Sequence, residues 1–279
     1  MKPIDGRKLR GAALLLALIF ALTASRAAAN LSRPTGGGDE NRVEDKLSQS
    51  RRAVELNPRD ADAHYNLGIA FYDQGRLEEA IRHYRKALEI APRYATAHVN
   101  LGIAFYDQGY LDGAVLHFRK ALDINPRYAD AHYNLGIVLE EIGPLNEAIA
   151  HYKKAVELNP DHVMAYINLG LALYRQGRFD EAISHYRKAL EINPRYATAH
   201  LNLGVSLNEK GRLDEAISHY RKAVEINPQE PKAYYNLATV YEQKGEIQKA
   251  IKHFQRNCDL GDKDGCDNAL KLARPPMGR

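Results

Sequence analysis

The sequence predicts an all-α solenoid built from one repeated helical hairpin, and three series of residues carry that prediction. Six prolines, Pro58, Pro92, Pro126, Pro160, Pro194 and Pro228, recur every 34 residues. Glycines keep the same interval at Gly75, Gly109, Gly143, Gly177, Gly211 and Gly245, and asparagines at Asn66, Asn100, Asn134, Asn168, Asn202 and Asn236. A fixed period of this length describes stacked copies of a small supersecondary unit rather than one closed core.

Each element of the period has a local reason. In the copy at residues 61–94, Ala63, Leu67, Ala70 and Phe71 form one helical stripe. Gly75 closes that helix, because a helix C-terminus favours the positive φ that glycine adopts cheaply. A second stripe follows at Leu77, Ala80, Ile81, Tyr84, Ala87 and Leu88. Ala91-Pro92 stops it, since proline lacks an amide donor and disfavours helix in the residue before it. Neither helix can bury its stripe alone, so hairpins must stack. Small residues recur where backbones approach, at Gly68, Gly102, Gly136, Gly170 and Gly204, and at Ala80, Ala114, Ala148, Ala182, Ala216 and Ala250. The aromatic side chains expected to fill the space beside them are Tyr84, Phe118, Tyr152, Tyr186, Tyr220 and Phe254.

The chain's first segment has a different character. Lys2, Arg7, Lys8 and Arg10 precede an apolar run from Gly11 to Thr23, and Ala27-Ala28-Ala29 follows. A positive start, a short apolar middle and a small-residue end describe a secretory signal peptide over residues 1–29, cleaved after Ala29. The run is shorter than the roughly 20 residues that span a bilayer, so membrane association is expected only if the segment stays uncleaved. Residues 30–44 read as a flexible linker around Gly36-Gly37-Gly38, and residues 45–60 as a half-repeat capping helix. Six 34-residue copies then fill residues 61–264, and residues 265–279 supply a last capping helix to Ala273 and a tail at Pro275-Pro276.

Charge narrows the partners. The whole chain has 39 Lys and Arg against 35 Asp and Glu, but the leader holds five of those bases and only one acid. The remainder carries 34 of each, so its net charge is zero. Nucleic acid is not an expected partner, because that affinity rests on excess cations neutralising phosphates. The cation pairs Arg85-Lys86, Arg119-Lys120, Lys153-Lys154, Arg187-Lys188 and Arg221-Lys222 are followed one turn later by Glu89, Asp123, Glu157, Glu191 and Glu225. That pattern reads as a solvated outer face.

Leu-Gly, an aromatic or leucine, then Ala, Tyr or Phe, Ala and Pro at these offsets resembles the tetratricopeptide repeat, over residues 61–264. His or Tyr (His64, His98, His132, Tyr166, His200, Tyr234) stands where that motif sometimes has Trp. The last copy departs furthest, with Ala238, Asn257 and Asp262 in place of Gly, Ala and Pro. The resemblance implies a right-handed α-α superhelix with flanking capping helices, whose first helices line a concave, peptide-binding face. The stretch from Cys258 to Cys266 resembles cysteine-containing Sel1-like repeats, and in an exported chain the two cysteines favour a disulfide. A reduced buried pair is the alternative, and two ligands are too few for a zinc site.

By the motif's register the lining of that face comprises Tyr65, Asn66, Ile69, Tyr72, Asn100, Ile103, Tyr106, Tyr133, Asn134, Ile137, Asn168, Leu171, Tyr174, Asn202, Tyr235 and Asn236. A side-chain amide both donates and accepts, so a row of them can pair with peptide bonds whatever the bound side chains are. The row resembles the asparagine ladder of O-linked N-acetylglucosamine transferases, and a bonding role between neighbouring helices is the other reading. Capture of an acidic chaperone C-terminus is excluded, because Tyr65, Ile69, Val99 and Ile103 stand where that mode needs Lys and Asn. His83, His117, His151, His185, His219 and His253 recur once per copy, too far from one another to share a metal ion, and read as packing residues.

No phosphate loop, paired-cysteine motif or nucleophile elbow occurs, so no enzyme, cofactor, metal or small-molecule substrate is expected. The sequence thus predicts an exported scaffold of a bacterial periplasm or cell envelope, or a secreted one, that binds a protein or an extended peptide. A self-associating structural protein and a substrate-recruiting subunit of an enzyme complex are the alternatives.

Overall fold

The computed structural model describes residues 40–274. Among them the chain forms fourteen α-helices and no strands, the all-α helical-repeat class that the period predicts. It divides into two compact units, one ending at Pro160 and one beginning at Asp161.

The first unit contains α1 (Glu40–Leu56), α2 (Ala61–Asp73), α3 (Leu77–Ile90), α4 (Ala95–Asp107), α5 (Leu111–Ile124), α6 (Ala129–Ile142) and α7 (Leu145–Leu158). The helix expected from residue 45 therefore starts at Glu40, inside the segment read as linker. The signal-peptide segment, the rest of that linker and Pro275-Pro276 lie outside the described residues. Leu47 of α1 is buried with Leu67, Ala70 and Phe71 of α2, Ala80, Ile81 and Tyr84 of α3, and Leu101 and Ala104 of α4. A half-hairpin thus covers the stripe that the first full hairpin could not bury by itself.

The second unit contains α8 (Val163–Arg175), α9 (Phe179–Ile192), α10 (Ala197–Glu209), α11 (Leu213–Ile226), α12 (Pro231–Gln243), α13 (Ile247–Asp259) and α14 (Lys263–Ala273). A disulfide between Cys258 and Cys266, with Cα atoms 4.7 Å apart, ties the end of α13 to α14. Asn257, in the place other copies give to alanine, is fully buried and donates through Nδ2 to the Pro231 carbonyl and the Asp262 carboxylate. Asp262, in the place of proline, caps α14 by accepting from the Asp264 amide at 3.0 Å. The degenerate last copy has exchanged apolar packing for hydrogen bonds that begin another helix.

The hairpins close as their residues dictate. The glycines at the first-to-second helix turns have φ from +71° at Gly211 to +116° at Gly143, the left-handed region in which a side chain is strained. Asparagine before proline does more than stop a helix. Asn57, Asn125, Asn193 and Asn227 each accept through Oδ1 from the amide two residues on, at 3.1–3.3 Å, an Asx turn that starts the next hairpin. Close approach sets the hairpin interior. A Cβ at Gly136 would lie 2.6 Å from Cε1 of Tyr152, so glycine there admits the ring. On the outer face, Lys86–Glu89, Lys154–Glu157 and Lys188–Glu191 form exposed ion pairs at 2.7–2.8 Å, as a solvated ridge requires.

Candidate functional site

The candidate surface is the face of the first helices, and its residues are positioned by the hairpin packing behind them. In the first unit Leu67 and Phe71 anchor α2 into the core, which turns Tyr65, Ile69 and Tyr72 to a half-buried position and leaves Asn66 exposed. On α4, Leu101 and Ala104 are buried and Asn100 and Ile103 are half-exposed. Two contacts join these helices. The Asn100 amide donates to the Tyr65 hydroxyl at 2.9 Å, and the Tyr72 hydroxyl donates to the Asp107 carboxylate at 2.5 Å. Burial pushes the Tyr65 phenol up from its ordinary range, the neighbouring Tyr128 raises it further, and the Asn100 bond partly offsets both. Tyr65 therefore stays a neutral hydroxyl that can accept and donate.

The expected lining is wider than the face that remains open. Tyr106, Tyr133 and Ile137 are 5%, 1% and 2% exposed, and Asn134 and Asn168 are 7% and 6% exposed. Tyr106, Asn134 and Ile137 line a small void together with Ile103, Phe118 and Val138. These five residues are core, not free lining. The cause is the aromatic and branched character of their helices: α6 buries every residue from Tyr133 to Leu139. In the second unit Leu171, Tyr174, Asn202, Tyr235 and Asn236 are half-exposed. Burial and the Glu209 carboxylate push the Tyr174 phenol up to about 12. Tyr235 is also raised by burial and by Asp264, against a lowering bond from Asn268.

One arrangement that the spacing did not disclose lies behind the site. Histidines of the first and second helices meet within a hairpin: His64 with His83, His98 with His117, His132 with His151, and His200 with His219. The second histidine of each pair, a packing residue by its spacing alone, is instead hydrogen-bonded across the hairpin. Pairing the 34-residue series through His64 with the one through His83 across the turn at Gly75 would have found it. Among the described residues no group of three or more His, Cys, Asp or Glu could hold a metal ion. No helix among them is long and apolar enough to cross a membrane.

Helical hairpins of this length, packing glycine against an aromatic ring and ending in proline, define a tetratricopeptide-repeat protein. The chain belongs to the family of the cilia and flagella-associated protein 70 C-terminal domain, which matches residues 21–271. A search of curated proteins found no match. Among solved structures it is similar to YrrB, described as a TPR protein with an unusual peptide-binding site. The two share 31% identity over 66% of this chain and 95% of that one, with a TM-score of 0.57. It is also similar to MamA, at 30% identity over 58% and 95% of the two chains and a TM-score of 0.55. PilF of Pseudomonas aeruginosa shares the fold, with 24% identity over 76% and 96% and a TM-score of 0.65. The fold is that of a protein–protein interaction scaffold, and it implies protein or peptide partners.

Proposed function

We propose that this chain is an exported, non-catalytic scaffold that holds an extended segment of a partner protein against its first helices. The observation that carries the reading is the part-exposed row Tyr65, Asn66, Ile69, Tyr72, Asn100 and Ile103, which sets amides and hydroxyls among apolar side chains. A peptide needs both, because each hydrogen bond nets only about 0.5–1.5 kcal/mol. Ordering a flexible segment costs about 2–5 kcal/mol, so the apolar contacts must supply the surplus. The expected affinity is micromolar. YrrB's description as a peptide-binding repeat protein supports the same ligand class. Export to a bacterial envelope, or secretion, rests on the basic-then-apolar leader ending at Ala29.

The test is selection of peptides on the immobilised chain, followed by calorimetric titration of one selected peptide. Tyr65→Ala/Ile69→Ala should weaken it at least tenfold while circular dichroism stays unchanged. Binding that ignores both substitutions would place the peptide elsewhere and reject this face.

A further inference from the structure

The four histidine pairs repeat one geometry. Their Nδ1 atoms lie 3.1, 2.9, 2.9 and 3.0 Å apart, in chain order. The Nε2 of the first ring, on His64, His98, His132 and His200, lies 3.0–3.2 Å from the carbonyl oxygen of Pro58, Pro92, Pro126 and Pro194. A carbonyl only accepts, so that Nε2 carries the hydrogen. In the neutral ring Nδ1 is then a lone pair, and the Nδ1–H of the second histidine donates to it. Each dyad thus holds one hydrogen between its two nitrogens. One extra proton on the pair leaves a single N–H in the gap and is geometrically tolerable. A second would set two N–H groups and two charges head-on at about 3 Å.

The surroundings do not relieve that cost. Around His64/His83 stand Arg51 of α1 and Arg82 and Glu79 of α3. Around His98/His117 stand Arg85 and Glu89 of α3 and Lys120 and Asp123 of α5. His132/His151 face Arg119 of α5 and Glu147, Lys154 and Glu157 of α7. His200/His219 face Arg187 of α9 and Glu215 and Lys222 of α11. Glu79, Glu147, Glu157 and Glu215 already pair with Arg76, Arg119, Lys154 and Arg187. Burial leads the downward displacement of His83, His98, His132, His151 and His200, and brings His117 and His219 down to about 4.

We propose that these dyads make the array acid-labile, each of their four hairpins being latched by one shared hydrogen, with the unit ending at Pro160 loosening first. That unit contains three of the four dyads. The other has one, because Tyr166 and Tyr234 stand opposite His185 and His253 as stacked rings. The sign follows from proton counting. The unfolded chain takes two protons per dyad as pH falls below the ordinary histidine value of 6.5, and the folded dyad at most one. Stability is therefore complete above 6.5 and declines as pH falls through the depressed values of the folded rings, about 4 for His117 and His219.

The test uses the substitution that the other two repeats already carry. Full-length wild type and His64→Tyr/His98→Tyr/His132→Tyr/His200→Tyr would be compared for thermal unfolding at about pH 7 and about pH 5, with hydrogen exchange read on α2–α7 and α8–α13. Wild type should lose several degrees more than the variant on acidification, with exchange rising further in α2–α7. An equal loss in both chains overturns the proposal. Should the fourfold variant not fold, imidazole ¹⁵N titration of wild type decides. Two independent titrations per dyad near 6.5 reject the shared hydrogen, and a second ring that resists protonation supports it.

Discussion

Gly136→Ala tests the glycine-to-ring packing on which five of the six hairpins rest. A Cβ added there would stand 2.6 and 2.7 Å from Cε1 and Cδ1 of Tyr152 and 3.2 Å from Cζ. Carbon atoms pack at about 3.5–4.0 Å, so the ring must retreat by about 1 Å. It has nowhere to go: Tyr152 is 0% exposed, and its hydroxyl donates to Glu140 at 2.7 Å. Overpacking of this kind costs about 1–3 kcal/mol. A strained Tyr152–Glu140 bond adds part of its own 0.5–1.5 kcal/mol, roughly. Alanine's better helix propensity returns about 1 kcal/mol. The net expectation is a loss of about 0.5–3 kcal/mol. Urea unfolding followed by circular dichroism measures it, with Gly136→Ala/Tyr152→Leu as the relieving partner, since leucine vacates the ring's volume. Stability equal to or above wild type in the single variant would refute the argument. So would a double variant with no favourable coupling between the two sites.

Two further outcomes follow from the ends of the chain. Cys258→Ser/Cys266→Ser opens a loop of sequence separation 8, so the last helix pair should lose about 2–3 kcal/mol, seen as faster amide exchange confined to α13 and α14. Edman sequencing of protein secreted from cells expressing the full chain should begin at Asn30, and a start at Met1 in the exported material would overturn the leader reading.

The hairpin was legible because every copy buries the same side chains. Ala80, Ala114, Ala148, Ala182, Ala216 and Ala250 are all 0% exposed, and the aromatic ring opposite them is never more than 1% exposed. A position that must be small in six copies prints itself as a period. The division at Pro160 was not legible, since Pro160 looks like its five equivalents. The histidine dyad was legible only by setting two 34-residue series against each other across the turn, not along either helix. His64 lies eleven residues before the turn glycine Gly75 and His83 eight after it, a pairing set by the antiparallel register and the tilt of two helices. Single-helix periodicity does not contain that cross-helix offset.

The asparagine ladder shows how a perfect repeat in sequence becomes an uneven site. Asn66 is exposed, Asn100 is half-buried, and Asn134 is 7% exposed, though all three stand at one place in the period. A buried amide must find partners inside the protein or destabilise it, so the same residue type serves two ends. Asn134, beside Tyr106, Ile137 and Val138, is committed to packing. Asn100 is intermediate, since it donates to Tyr65 and thereby fixes the hydroxyl that a peptide would meet. Asn66, exposed on α2, is the one of the three that the peptide-binding proposal assigns to a ligand. The peptide-binding proposal therefore rests on α2 and α4, and Asn134→Ala belongs to the chain's stability rather than to its affinity.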